Sequence, residues 1–111
     1  MAVDIKKLFN EDLPAALPKN ADDAKTINAK FQLIIEDEGE WYIDTTESGP
    51  SCVAGNPGGA DVTIRITSED FQSLHENPQT NGMQLFFAGK LKVEGNQMLA
   101  MKLSKIFSYT G

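Results

Sequence analysis

The chain changes its hydrophobic period at Gly95-Asn96, and that switch limits the architectures open to it. Before it, Lys90-Leu91-Lys92-Val93-Glu94 alternates polar and apolar residues, the mark of a strand with one buried face. After it, from Gln97 to the next glycine at Gly111, neither Gly nor Pro occurs and strong helix formers dominate. A strand with Leu91 and Val93 inward therefore runs directly into a closing helix. This helix is more apolar than a simple cap over a core requires.

The same alternation marks two earlier segments. In Ala29–Glu36, Phe31, Leu33 and Ile35 face one way and Gln32 and Ile34 the other. In Asp61–Thr67, Val62, Ile64 and Ile66 point inward and Thr63, Arg65 and Thr67 outward. Trp41–Thr45 reads as a strand joined to the first by the acidic turn Glu36–Glu40, which makes a β-hairpin. Ser51–Ala54 is a short strand between the turns Thr46–Pro50 and Gly55–Gly59.

Helices are expected before, between and after these strands. Over residues 3–17, Ile5, Leu8, Phe9, Leu13, Ala16 and Leu17 share one side at helical spacing, with Asp4 as N-cap and a kink or break at Pro14. A short helix can open at Asn20. Ser68–His75 is a helix capped by Thr67 or Ser68, with Phe71 and Leu74 inward, and Pro78 starts another. Five strands joined mainly by tight turns give a single α+β domain over residues 1–111. Its mainly antiparallel sheet carries helices over one face.

Charge narrows the partners. The net charge is −6, which argues against a nucleic-acid partner. Residues 1–80 hold fifteen of the sixteen acids, while residues 81–111 hold Glu94 alone against Lys90, Lys92, Lys102 and Lys105. Such a basic end suits transient contact with an anionic membrane surface, where each lysine contributes about 1 kcal/mol. No apolar run approaches a membrane span, the first thirteen residues do not read as a signal peptide, and a single cysteine, Cys52, allows no internal disulfide. The expected compartment is the cytoplasm.

Catalytic chemistry is poorly supplied. His75 is the lone histidine and stands at a helix end, where the dipole suits it. Cys52 lies in a strand with no His or Lys nearby in sequence and reads as a small buried hydrophobe. The acids around Gly39 are not spaced as a calcium loop, and Gly55–Gly59 lacks the Gly-Lys-Ser/Thr ending of a phosphate-binding loop. No catalytic residue, metal site or cofactor is expected.

On a helical wheel the closing segment has two apolar sides. Leu99, Leu103 and Ile106 form one, with Ala100 and Phe107 beside them, and Met98 and Met101 fall on another beside Lys102 and Lys105. Methionine suits surfaces that adapt to variable apolar partners. Met83, Phe86, Phe87, Met98 and Met101 are thus candidates to line or gate an apolar cavity between closing helix and sheet.

Taken together, Phe31-Gln-Leu33, Gly39-Glu-Trp-Tyr-Ile-Asp44, Ala60–Phe71, Phe87–Asn96 and Met98–Leu103 resemble the sterol carrier protein 2 family, in its order and spacing, from about Asn28 to Leu103. The most specific part is Gly-Lys-Leu-Lys-Val-Glu-Gly-Asn followed by Leu-Ala-Met-Lys-Leu. The resemblance implies a five-stranded sheet with helices on one side and a C-terminal helix closing a hydrophobic tunnel. It implies binding and transfer of sterols, fatty acids, fatty acyl-CoA or phospholipids, without catalysis. The positions it points to are Phe71, Leu74, Phe86, Phe87, Leu91, Val93, Leu99, Met101 and Leu103. The sequence ends Ser-Tyr-Thr-Gly, and Ser104-Lys105-Ile106 is internal, so neither is a peroxisomal C-terminal tripeptide.

Two other readings are open. An enzyme or enzyme accessory could hold an apolar substrate in the same cavity, with His75 or an acid as general base. An interaction module could instead present the closing helix to a protein partner.

Overall fold

The computed structural model describes residues 3–46 and 50–110, apart from the side chains of Pro78 and Gln79. The turn expected over Thr46–Pro50 lies largely outside these residues. Five strands form one sheet: β1 (Lys30–Ile35), β2 (Gly39–Asp44), β3 (Ser51–Ala54), β4 (Val62–Ile66) and β5 (Lys92–Gly95), in the order β3-β2-β1-β4-β5. Three neighbouring pairs are antiparallel and β1 pairs with β4 in parallel, Leu33 opposite Ile64. Leu33 also lies opposite Trp41, Ile43 opposite Cys52 and Ile64 opposite Val93, so these residues of the five strands share one face.

The helices are α1 (Ile5–Lys7), α2 (Leu13–Lys19), α3 (Ala21–Ile27), α4 (Ser68–Glu76), α5 (Pro78–Phe87), α6 (Gln97–Ala100) and α7 (Leu103–Ser108). Asp4 caps α1 by accepting from Lys7 N–H, and Thr67 caps α4 by accepting from Asp70 N–H. All apolar positions expected on the N-terminal segment are buried: Ile5, Leu8, Phe9, Leu13, Ala16 and Leu17.

That segment does not simply kink at Pro14. Residues Leu8–Asp12 form a π turn in which Leu13 N–H donates to Leu8 C=O, five residues back. The wider turn relieves the clash between the proline ring and the carbonyl four residues before it. It also leaves Phe9 C=O without a helical donor, because the residue five positions on is Pro14, which has no N–H. The thiol of Cys52 takes that place, Sγ donating to Phe9 C=O at 3.3 Å.

One expectation is corrected, and one polar residue is buried away from the core. The closing segment is two short helices, with a turn at Met101-Lys102 where Lys102 N–H bonds to Leu99 C=O. And Gln32, though on the face opposite the core, is buried: its amide donates to Trp41 C=O (3.1 Å) and Gly55 C=O (3.0 Å), joining β1 to the end of β3.

Candidate functional site: an apolar cavity between the helices and β4–β5

The core side of the sheet is filled unevenly. Over β1–β3, Phe9 stacks on Trp41 (4.9 Å between ring centroids) and meets Phe71 (5.5 Å) and Phe107 (6.4 Å), while Trp41 Nε1 donates to Asn10 Oδ1 at 2.9 Å. Over β4 and β5 the helices stand off. A cavity of about 680 Å³ opens there, floored by Ile64, Leu91 and Val93 and walled by Leu74 of α4, Gly82, Met83, Phe86 and Phe87 of α5, Gln97, Met98 and Ala100 of α6, Met101 in the turn, and Leu103 and Ser104 of α7. Among the described residues no charged side chain lines it.

Local sequence explains the gap. Helix α5 is apolar on more than one side: Leu85 is buried in the core, while Met83, Phe86 and Phe87 are exposed. Gly82 lets α5 approach α4 closely, since a Cβ there would lie 3.3 Å from Leu74 Cδ1. Helix α6 has no buried residue; Asn96 Oδ1 starts it by accepting from Met98 N–H. Large apolar side chains crowd the mouth, Phe87 at 78%, Met98 at 77% and Met101 at 73% exposed. Such exposed apolar patches mark interaction or ligand sites.

Nine of the eleven residues expected at a lipid site line this cavity: Leu74, Met83, Phe86, Phe87, Leu91, Val93, Met98, Met101 and Leu103. Two do not. Phe71 lies in the aromatic cluster, edge-on to Phe107 at 5.5 Å, and Leu99 packs against the core. Ile64, Gly82, Gln97, Ala100 and Ser104 line the cavity although the sequence did not single them out for it. Of these, Ile64 reads as ordinary strand core, and a glycine or alanine at a wall carries no pattern of its own.

The groups considered for chemistry lie elsewhere. His75 is half-buried between Phe71 (6.0 Å) and Phe107 (5.6 Å), and burial lowers its pKa. Burial pushes the Cys52 thiol up to about 12, so it stays a protonated thiol and a poor nucleophile at neutral pH. Among the described residues no three His, Cys, Asp or Glu side chains gather to hold a metal. Lys105 turns away from the mouth: its Nζ lies 3.1 Å from Asp23 Oδ1 and donates to Thr26 Oγ1. No helix of the described residues is long and apolar enough to cross a membrane.

Comparison with known proteins identifies the family. The model of the SCP-2 sterol transfer family matches residues 9–108. Human hydroxysteroid dehydrogenase-like protein 2 is 37% identical over 79 residues, 70% of this chain but only 19% of that protein. The oleate-induced peroxisomal protein POX18 of Candida maltosa is 33% identical over 88 residues, covering 75% of this chain and 68% of that one. The apo structure of sterol carrier protein 2 from Yarrowia lipolytica superposes with a TM-score of 0.66 at 30% identity, covering 96% of this chain and 85% of that one. The match of the family model over nearly the whole chain, with the shared fold, makes this protein a member of the SCP-2 sterol transfer family.

Proposed function

We propose that the protein binds a sterol, fatty acid, fatty acyl-CoA or phospholipid in the 680 Å³ cavity and carries it between membranes or presents it to an enzyme. The observation that carries this reading is an uncharged apolar cavity of ligand size whose mouth is ringed by exposed Phe and Met. Binding is driven by burial, at about 0.8 kcal/mol per CH₂ removed from water. That force has no direction, so broad choice among apolar ligands follows. An ionised head group is costly to bury without a partner, and the lining offers none. Acyl chains therefore enter tail first and leave a carboxylate or CoA phosphate in water at the mouth, where the exposed Lys102 follows Met101 of the wall.

The eleven residues of the lipid-site expectation act in two ways on this reading. Nine touch the ligand, while Phe71 and Leu99 hold the wall from behind. We propose no catalytic role for the chain, because His75 is packed against aromatic rings and lies outside the lining. The proposed compartment is the cytoplasm, although the Candida relative is by name peroxisomal; imaging of the tagged chain tests that part. Native mass spectrometry of gently purified protein tests the carrier reading. A co-purified lipid mass, displaced by a fluorescent fatty acid, is expected, and a bare protein with no displaceable probe signal at saturation would overturn it.

A further inference from the structure

We propose that the protein self-associates through the free edge of its sheet: β5 pairs antiparallel with β5 of a second copy, about a two-fold axis at Val93, and joins two five-stranded sheets into one. Such pairing does not depend on the lipid-carrier reading.

The two edges of the sheet differ. Helix α2 and the π turn pack against β3, and the Cys52 thiol fastens that edge to Phe9. At the other edge stands β5. Among the described residues, no backbone hydrogen bond outside the β4–β5 ladder involves Val93 or Gly95. Their direction follows from β4. Ile66 C=O accepts from Glu36 N–H, on the β1 side. Backbone groups alternate sides along a strand, so Ile64 also faces β1, while Thr63 and Arg65 face β5. Their partners Glu94 and Lys92 turn inward to meet them, as does Asn96, whose N–H donates to Asp61 C=O at 3.1 Å. Val93 and Gly95 are left with N–H and C=O pointing away from the sheet. Unpaired groups of this kind are a template for a further strand.

Charge selects the occupant. Lys92 and Glu94 are exposed, and neither forms an ion pair among the described residues. Lys92 also lies opposite Arg65 of β4, a like charge. The order Lys-Val-Glu complements itself. In the two-fold register each Lys92 lies opposite Glu94 of the partner copy, and Val93 lies opposite Val93 with both N–H···O=C bonds closed. Leu91 falls opposite Gly95, which has no side chain to obstruct it. A strand of one charge sign would satisfy Lys92 or Glu94 and oppose the other. The axis stands perpendicular to the joined sheet, so both cavities open on the same side. Val93, part of each cavity floor, then lies at the junction. A strand of four residues makes a small interface, so pairing depends on concentration.

Sedimentation velocity on the full chain over a dilution series is expected to show a reversible monomer–dimer equilibrium. Amide exchange at Val93 and Gly95 should slow as concentration rises, while Glu94, already bonded to β4, should not change. Lys92→Glu and Glu94→Lys each set like charges opposite one another and should weaken association by about tenfold or more. Both sites are exposed, so circular dichroism should report intact folds. Mixed together, the two variants should associate as well as the wild type, because each supplies the charge the other needs. A chain that stays monomeric at every concentration overturns the pairing. A dimer that both single variants leave unchanged uses another face and overturns it too.

Discussion

The thiol of Cys52, on β3, donates to the carbonyl of Phe9, forty-three residues earlier in the chain, at 3.3 Å. The acceptor is free only because Pro14 cannot supply an N–H to it. The π turn, the proline and the cysteine therefore form one device, and it fastens the N-terminal segment over the edge of the sheet.

That device makes Cys52 inert and its removal costly. Cys52→Ala is expected to cost about 1–2 kcal/mol in urea unfolding, from a lost hydrogen bond and a small cavity. The native thiol should resist iodoacetamide at pH 8 until the protein unfolds. Its folded pKa of about 12 lies above its ordinary 9.0. Its contribution is therefore complete below pH 9.0 and is lost as pH rises towards 12. The stability difference between wild type and Cys52→Ala should narrow over that alkaline range.

His75 responds in the opposite direction. Burial holds its folded pKa below 6.5, so stability is complete above pH 6.5 and falls as pH drops through the folded midpoint. An NMR titration should place that midpoint under 6.5. His75→Phe should flatten the acid side of the stability profile and leave fatty-acid binding unchanged, since the ring lies outside the cavity. Loss of binding in a folded His75→Phe protein would contradict the assignment.

Gly95 ends β5 with φ at +94°, and a Cβ there would stand 2.5 Å from Asp61 C=O, a backbone atom that cannot swing aside. Gly95→Ala is expected to destabilise by about 1–3 kcal/mol. Because Asn96 N–H bonds to the same Asp61 carbonyl, the change should also disturb the start of α6, visible as faster amide exchange there.

Asp23 holds the last helix from outside. Its carboxylate accepts from Tyr109 Oη and pairs with Lys105, and these hydrogen bonds, Tyr109 first, keep its pKa below the usual carboxylate range. The clasp is complete above that usual range and is lost as pH falls through the folded pKa. Asp23→Asn should speed amide exchange in α7 at neutral pH, with little change in α4. Equal exchange in both proteins would show that core packing alone secures α7.

At the cavity, Met101→Glu and Phe86→Asp are expected to weaken fluorescent fatty-acid binding at least about tenfold, since each sets a carboxylate against an apolar ligand. Both sites are exposed, so circular dichroism should report an intact fold.

Much of the architecture was legible because its signals are local. The alternations in Phe31–Ile35 and Val62–Ile66 identify strands and their buried faces without reference to anything distant. They say nothing about direction, because parallel and antiparallel strands share the same period of two, and so the parallel β1–β4 pair was hidden. The break at Met101-Lys102 was hidden for a different reason. Both residues are good helix formers, and the turn there follows from how Leu103, Ile106 and Phe107 pack, which is tertiary. Pro14 announced a disturbance, but the donor that satisfies the carbonyl it leaves open, Cys52, lies far along the chain. The cavity residues were legible through their surplus: Met83, Phe86, Phe87, Met98 and Met101 exceed what a small core can absorb. Phe71 reads in sequence as an inward helix residue and joins the lipid site only through the resemblance; it meets Phe9 and Phe107, contacts across sixty-two and thirty-six residues that no local pattern encodes.

Helix α6 has four residues, one capping side chain and no buried side chain. A helix that short has almost no winding tendency of its own in water. On the carrier reading, a guest in the space behind it adds to the contacts that Leu99 and Ala100 make with the core, so filling the cavity also steadies the wall. Calorimetry on this protein would then register two things at once, the desolvation of the guest and the ordering of its host. Ligands of equal hydrophobicity but unequal length would differ in enthalpy and heat capacity according to how far each one reaches along α6.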